Sequence, residues 1–180
     1  MELKTTMFKK MLPLPVTLIT TVNGDGVVNG APYSCVMPIL NPFDLITIAS
    51  ALPRDTLKNI RDTGEFVVNV MGEPSLGKAM ECAANVAPDV DELALTGLET
   101  MASQAVRPPR VKDAVGWIEA MLEKEVLGEG YSLIIGKVLK AEINDDYFKD
   151  GVFVKAPAIL LIPELRAIDP VLLDTQLKRP

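Results

Sequence analysis

The chain has 180 residues, 48% of them hydrophobic and 23% charged, and a formal net charge of −6. That length and balance fit one folded domain with its own core, and the acidic excess excludes a general affinity for nucleic acid or for anionic membrane surfaces. The chain contains no histidine, which removes Ser-His-Asp hydrolysis, His-ligated metal centres and any His acid or base. Its two cysteines, Cys35 and Cys82, are too few for a disulfide framework or a zinc site.

Lys4, Lys9 and Lys10 precede an apolar stretch that ends near residue 22, but Pro13 and Pro15 interrupt it. A cleaved leader is therefore not expected, and no run approaches the roughly 20 apolar residues a membrane-spanning helix needs. A reducing, cytoplasmic location fits the cysteine usage. Residues 16–22 and 27–37 read as a β-hairpin around Asn23-Gly24-Asp25-Gly26, whose glycines supply the positive φ of a tight turn. The Gly24-x-Gly26 pair is no dinucleotide loop, because a β-branched run broken by Gly30 and Pro32 follows it instead of a helix. Residues 43–50 form a third strand after the Asn41-Pro42 turn. Residues 54–64 form a short helix, capped by Asp55 or Thr56 and ended by a left-handed Gly64, and residues 65–71 a fourth strand.

A small helix is expected over 75–84, then a long connection over 87–109 of the length that often forms a binding loop. Residues 111–126 are undecided between helix and strand, since their apolar spacing partly fits both. Residues 131–143 make a long strand in which Gly136 marks a bulge or bend, and 153–162 another in which Pro157 marks an edge or break. The whole, 1–180, reads as a single domain with its core at about 8–165 and a surface tail over 166–180. Six or so strands with short helices between them give a mainly β fold, an antiparallel Greek-key barrel.

Two segments carry chemistry. Asn29-Gly30-Ala31-Pro32-Tyr33-Ser34-Cys35 is a polar, broken stretch in a β-rich run. It reads either as a plain β-bulge or as a strand whose freed backbone groups, with the Asn29 amide and Ser34 hydroxyl, line a ligand's polar edge. Arg54-Asp55-Thr56 opens the short helix, and it reads either as a plain cap with a solvated arginine or as an anion pocket. In the second reading, unpaired N–H groups, the Arg54 charge and the Thr56 hydroxyl converge on a phosphate.

These segments, together with Pro15-Val16-Thr17-Leu18-Ile19-Thr20-Thr21, Leu57-Lys58-Asn59-Ile60 and Thr63-Gly64-Glu65-Phe66-Val67-Val68-Asn69-Val70, resemble the flavin reductase-like family, whose fold is the FMN-binding split barrel. Val90-Asp91-Glu92-Leu93, Thr96-Gly97-Leu98, Pro108-Pro109-Arg110-Val111, Ile118-Glu119 and Ile134-Ile135-Gly136-Lys137-Val138 extend the resemblance over most of the chain. It implies FMN as cofactor, with Asn29, Ala31, Tyr33, Ser34 and Cys35 along the isoalloxazine and ribityl chain. It also implies Arg54, Asp55, Thr56 and Lys58 around the phosphate, and a homodimer with the flavin near the interface. Taken without the family, Asp91-Glu92 reads equally as a solvated acidic turn. Two positions depart from the family pattern: Tyr131 stands where many members carry a His on the nicotinamide side, and Ala120 where Cys is common.

Three functions follow. The first is a flavin reductase that moves hydride from NADH or NADPH to FMN, with flavin-centred chemistry and no catalytic side chain. The second is a flavoredoxin-type FMN electron carrier with a redox protein as partner, towards which Tyr131 weighs. The third is a split-barrel binding module without flavin.

Overall fold

The computed structural model describes residues 4, 5, 8, 11–161 and 164–167. In chain order the elements are β1 (Leu14–Pro15), β2 (Thr17–Val22), β3 (Val28–Tyr33), β4 (Val36–Ile39), β5 (Leu45–Ala51), α1 (Asp55–Thr63), β6 (Glu65–Val70), α2 (Glu73–Glu81) and α3 (Glu92–Thr96). There follow β7 (Thr100–Met101), β8 (Arg110–Val111), β9 (Gly116–Leu127), β10 (Tyr131–Ile143), β11 (Phe148–Lys149), β12 (Val152–Phe153), β13 (Ala158–Leu161) and β14 (Glu164–Ala167). Seven of the strands form one antiparallel sheet in the order β3-β2-β6-β9-β10-β5-β4.

The two edges of that sheet are consecutive in the chain, joined only by Ser34 and Cys35. In a flat sheet they would stand about 29 Å apart, at roughly 4.8 Å per strand gap. Three Cα steps from Tyr33 to Val36 span at most about 11 Å. The sheet therefore curls until its edges meet, and the barrel is closed by two residues of chain with no β3–β4 ladder. This is the expected antiparallel barrel with a split along one side.

Both faces of the central strands are covered, so period-two alternation sorts apolar residues between two cores. Ile19, Phe66 and Val68 point into the barrel with Ile46, Ile48, Ala120 and Ile134, where Leu57 and Ile60 of α1 join them. Leu18 and Val67 point outward to a second core with Met71, Ala79, Cys82, Leu93 and Trp117, under α2 and α3. Every residue of β2 is consequently buried. A buried charge network fixes the far side. Glu119 accepts hydrogen bonds from Arg110 Nε (2.6 Å) and from the backbone N–H of Gln104 (2.9 Å), while the Arg110 guanidinium lies over the Trp117 ring.

The hairpin, α1 with its left-handed Gly64, and β10 match the expectations. The run expected over 27–37 is split at Ser34 and Cys35, because the chain there passes from one sheet edge to the other. The connection over 87–109 holds α3, whose first turn is capped by Asp91 (Ala94 N–H to Oδ1, 2.9 Å). The undecided 111–126 is strand from Gly116 on. In the 153–162 region only Ala158–Leu161 belongs to a strand longer than two residues, and Pro157 forms an isolated bridge with Gly72. Arg166 and Ala167, read as tail, belong to β14; the rest of that tail, 168–180, lies outside the described residues. No described helix is long and apolar enough to cross a membrane.

The β9–β10 register shifts at Gly136, and a Cβ there would overlap the ring of the fully buried Phe66. Gly136→Ala should therefore cost about 1–3 kcal/mol through overpacking. Urea unfolding of the single variant and of Gly136→Ala with Phe66→Leu checks this: the smaller side chain should recover part of the loss.

Candidate functional site

A cavity of about 1050 Å³ opens at the split. One wall is β3 and the two-residue link, contributing Asn29, Ala31, Tyr33, Ser34 and Cys35; the other is the end of β5, the Leu52-Pro53 turn and the start of α1, contributing Arg54, Asp55, Thr56 and Lys58. All nine residues singled out in the sequence thus line one cavity. The connectivity explains why: β3 is one edge of the sheet and β5 the strand next to the other edge, and they face each other only because the sheet curls.

The structure corrects the expected cap of α1. Arg54 itself is the N-cap residue, in extended conformation, and no side chain caps the helix. The first backbone N–H to return into the helix is that of Lys58, donated to Arg54 O (3.2 Å). The N–H groups of Asp55, Thr56 and Leu57 therefore have no intrahelical acceptor, and the positive end of the helix dipole faces the cavity. Among the cations here, Lys58 is paired with Asp62 (2.6 Å), which raises its pKa, and Arg61 with Glu125 (2.6 Å). Arg54 is exposed and forms no ion pair among the described residues.

Behind this rim lies a hydrogen-bonded chain of buried and half-buried side chains. Asn29 Oδ1 accepts the hydroxyl protons of Thr56 (3.0 Å) and Thr21 (3.3 Å), and Thr21 Oγ1 accepts from Asn59 Nδ2 (3.1 Å). Asn29 Nδ2 donates to Glu92 Oε1 (2.7 Å), and Glu92 Oε2 accepts the Gly30 N–H (3.2 Å). The single proton of the Thr56 hydroxyl is thus committed inward to Asn29, where the sequence reading had it donating to a ligand. On the opposite wall the Tyr33 hydroxyl and Ser50 Oγ are 2.9 Å apart, linking β3 to β5.

Glu92 is the residue that sequence reasoning missed. As part of a solvated acidic turn it would be exposed; it is only 7% exposed and lines the cavity with Cys82, Ala83, Ala84, Asn85 and Val86. Its signal in the sequence was faint: an Asp-Glu pair before Leu93, in which Asp91 caps the helix and the next position turns inward. Burial pushes the Glu92 carboxyl above the usual carboxylate range, against the pull of the Gly30 and Asn29 hydrogen bonds, and Asp55 pushes it further. Burial also raises the Cys82 thiol, which keeps it protonated. Tyr131 opens β10 opposite Ala51 and is half exposed; it is not among the lining residues.

The model of the flavin reductase like domain matches residues 8–160. An uncharacterized protein of Methanothermobacter thermautotrophicus is 46% identical over 149 residues, 79% of this chain and 70% of that one. Nitrilotriacetate monooxygenase component B from Bacillus cereus superposes with a TM-score of 0.80 at 28% identity, covering 93% of each chain. The flavoredoxin of Desulfovibrio vulgaris superposes with a TM-score of 0.81 over 94% of each chain, at 19% identity, a likeness of fold.

The raised carboxyl of Glu92 sets the sign of a pH effect. The folded chain holds this proton at a higher pH than the unfolded chain, so the stability it contributes is complete below the unfolded value and is lost as pH rises through the folded one. Glu92→Gln keeps the shape without the titration. Urea unfolding from about pH 4 to about pH 8 should therefore show the variant gaining on the wild type as pH rises. A constant difference would show that Glu92 titrates alike in both states.

Proposed function

Since the chain belongs to the flavin reductase-like domain family, we propose that it is an FMN-dependent oxidoreductase whose cavity at the barrel split holds the flavin. The observation that carries this reading is the uncommitted Arg54 at the uncapped start of α1, opening into the same cavity as the polar wall of β3. Convergent backbone N–H groups, a dipole and a free guanidinium are the donor set that a phosphate monoester needs. The Asn29–Cys35 wall offers a strand edge with unpaired backbone groups for the polar rim of a flat ring system, and the volume suits a ligand of that size. The residues present fit FMN.

Bound there, the flavin would supply the electron chemistry, taking hydride from NADH or NADPH. The protein's part is position. Arg54 and the α1 N–H groups hold the phosphate end, and the Tyr33–Ser50 bond fixes the spacing of the two walls. No side chain has to move a proton for hydride transfer, which agrees with a chain that lacks histidine. Met37, Leu40 and Phe43, on β4 and the turn after it, are exposed, Phe43 to 87%, and support a homodimer that covers this edge of the split.

A second reading, an FMN electron carrier of the flavoredoxin type served by a redox protein, is favoured by Tyr131. Where many family members carry a nicotinamide-side His, this chain has a half-exposed phenol outside the cavity lining.

The visible spectrum of the purified protein, before and after anaerobic addition of NADH or NADPH, separates the two. Flavin bands that bleach quickly mark the reductase, whereas bands that persist until dithionite is added mark the carrier. A colourless protein that leaves added FMN fluorescence unquenched sinks both. Arg54→Ala should weaken FMN binding about 10- to 100-fold, the worth of a charge-assisted bond, and leave riboflavin binding nearly unchanged. Equal losses in fluorescence titrations of the two ligands would place the phosphate elsewhere.

A further inference from the structure

We propose that Glu92 is a positioning residue: through the Asn29 amide it decides whether Thr56 offers the cavity a hydroxyl proton or only lone pairs, so that one proton taken up at Glu92 tightens the hold on a phosphate. This rests on the FMN reading of the cavity. With Glu92 ionised, both of its oxygens accept, one from Asn29 Nδ2 and one from the Gly30 N–H. The Asn29 amide is then locked with Oδ1 towards Thr21 and Thr56, and both hydroxyl protons are spent on it. Thr56 can show a ligand only oxygen lone pairs, which repel a phosphate oxygen.

A proton on Glu92 Oε1 reverses the chain of bonds. Oε1 becomes a donor, the Asn29 amide turns over so that Oδ1 accepts from it, and Oε2 keeps the Gly30 N–H. The two Asn29 Nδ2 hydrogens now go to Thr21 Oγ1 and Thr56 Oγ1, and the Asn59 amide turns to accept the Thr21 hydroxyl. The four side-chain bonds Glu92–Asn29, Asn29–Thr21, Asn29–Thr56 and Thr21–Asn59 are each replaced by one of opposite sense, with no movement beyond two amide rotations, and the Thr56 hydroxyl proton is released towards the cavity. A phosphate then gains a donor beside Arg54 and the first-turn N–H groups of α1. By reciprocity, a bound phosphate favours the protonated carboxyl.

Charged groups of both signs stand around Glu92. From α1, Arg54, Asp55 and Lys58 line the same cavity, Lys58 paired with Asp62, while Asp55 acts on Glu92 as a like charge. From α2 come Lys78, which donates to Gly97 O at the end of α3, with Glu81 and Cys82, whose Sγ lies 3.8 Å from the Glu92 carbonyl oxygen; from α3 itself, Asp91; and from β3, Tyr33 at its far end. Its hydrogen-bond partners are Asn29 and Gly30, with no Lys or Arg among them in the described residues. Burial pushes the carboxyl up from its ordinary value, so it keeps its proton to a higher pH than a solvated glutamate does.

Glu92→Gln imitates the protonated state, because Nε2 can donate to Asn29 Oδ1 while Oε1 accepts from Gly30. The test is the dissociation constant of FMN and of riboflavin, read by flavin fluorescence from about pH 4 to about pH 9, for the wild type, Glu92→Gln and Thr56→Val. The titration of the FMN phosphate, near pH 6, is common to all three proteins and cancels in their ratios. For FMN the wild-type to Glu92→Gln ratio should climb from near one at the acid end to roughly tenfold at the alkaline end, and for riboflavin it should stay flat. In a Thr56→Val background the Glu92 change should no longer alter FMN binding, and Thr56→Ser should restore the effect. Should Glu92→Gln not fold, the wild-type to Thr56→Val ratio carries the same pH dependence. An FMN ratio that does not change with pH, or that changes equally for riboflavin, overturns the proposal and leaves the FMN reading standing. Failure of the wild type to bind either flavin overturns both.

Discussion

The architecture depends on a length of chain. Two residues, Ser34 and Cys35, join strands that occupy opposite ends of a seven-stranded sheet, and that reach is too short for any flat arrangement. Curling follows, and so does the split, since β3 and β4 are brought together without pairing. The unpaired edges that a sheet protein must ordinarily protect become the walls of a cavity. The Gly30 N–H on the free edge of β3 is taken by Glu92, and the Cys35 carbonyl accepts from the Ala49 N–H (2.9 Å). Covering these groups and shaping the site are one structural act.

Two of the buried polar clusters have different consequences. On the far side, Glu119 and Arg110 form a nearly dry ion pair that gathers the Gln104 and Ala105 N–H groups, so the segment before β8 is held by charge-assisted bonds. Such a pair contributes little net stability against an apolar substitute, but loss of one partner leaves a buried charge. Near the cavity, the Glu92–Asn29–Thr21–Thr56–Asn59 chain ties α3, β3, β2 and α1 together by hydrogen bonds among mostly neutral groups. The first network is fixed in sense by its charges. The second can run in either direction, because amides and hydroxyls donate and accept alike.

What was legible in the sequence was local. The Asn23–Gly26 turn, the Gly64 helix end and the bulge at Gly136 are set by neighbouring residues, and each stands where the residues placed it. The nine candidate residues of 29–35 and 54–58 could be singled out because Gly, Pro and a helix start are visible signals, and the fold gathers them around one cavity. Contacts across long stretches of chain were not legible. Glu92 reaches Asn29 across 63 positions, and nothing near either residue announces the other. The period over 111–126 was unreadable for a related reason: β9 passes from burial on both faces at Gly116–Ala120 to exposure beyond, so no single alternation runs through it.

The sheet order also governs when the site can exist. The β3-β2-β6 side and the β4-β5 side are joined only through β9 and β10, and β10, at residues 131–143, is the strand that pairs with β5. On a ribosome adding roughly 5–20 residues per second, the link at Ser34–Cys35 is made on the order of ten seconds before the strand that brings its two ends together. Both walls of the cavity therefore wait as separate hairpins with apolar faces uncovered. The barrel can close only once about three quarters of the chain has emerged, a non-local step of the kind that slows folding.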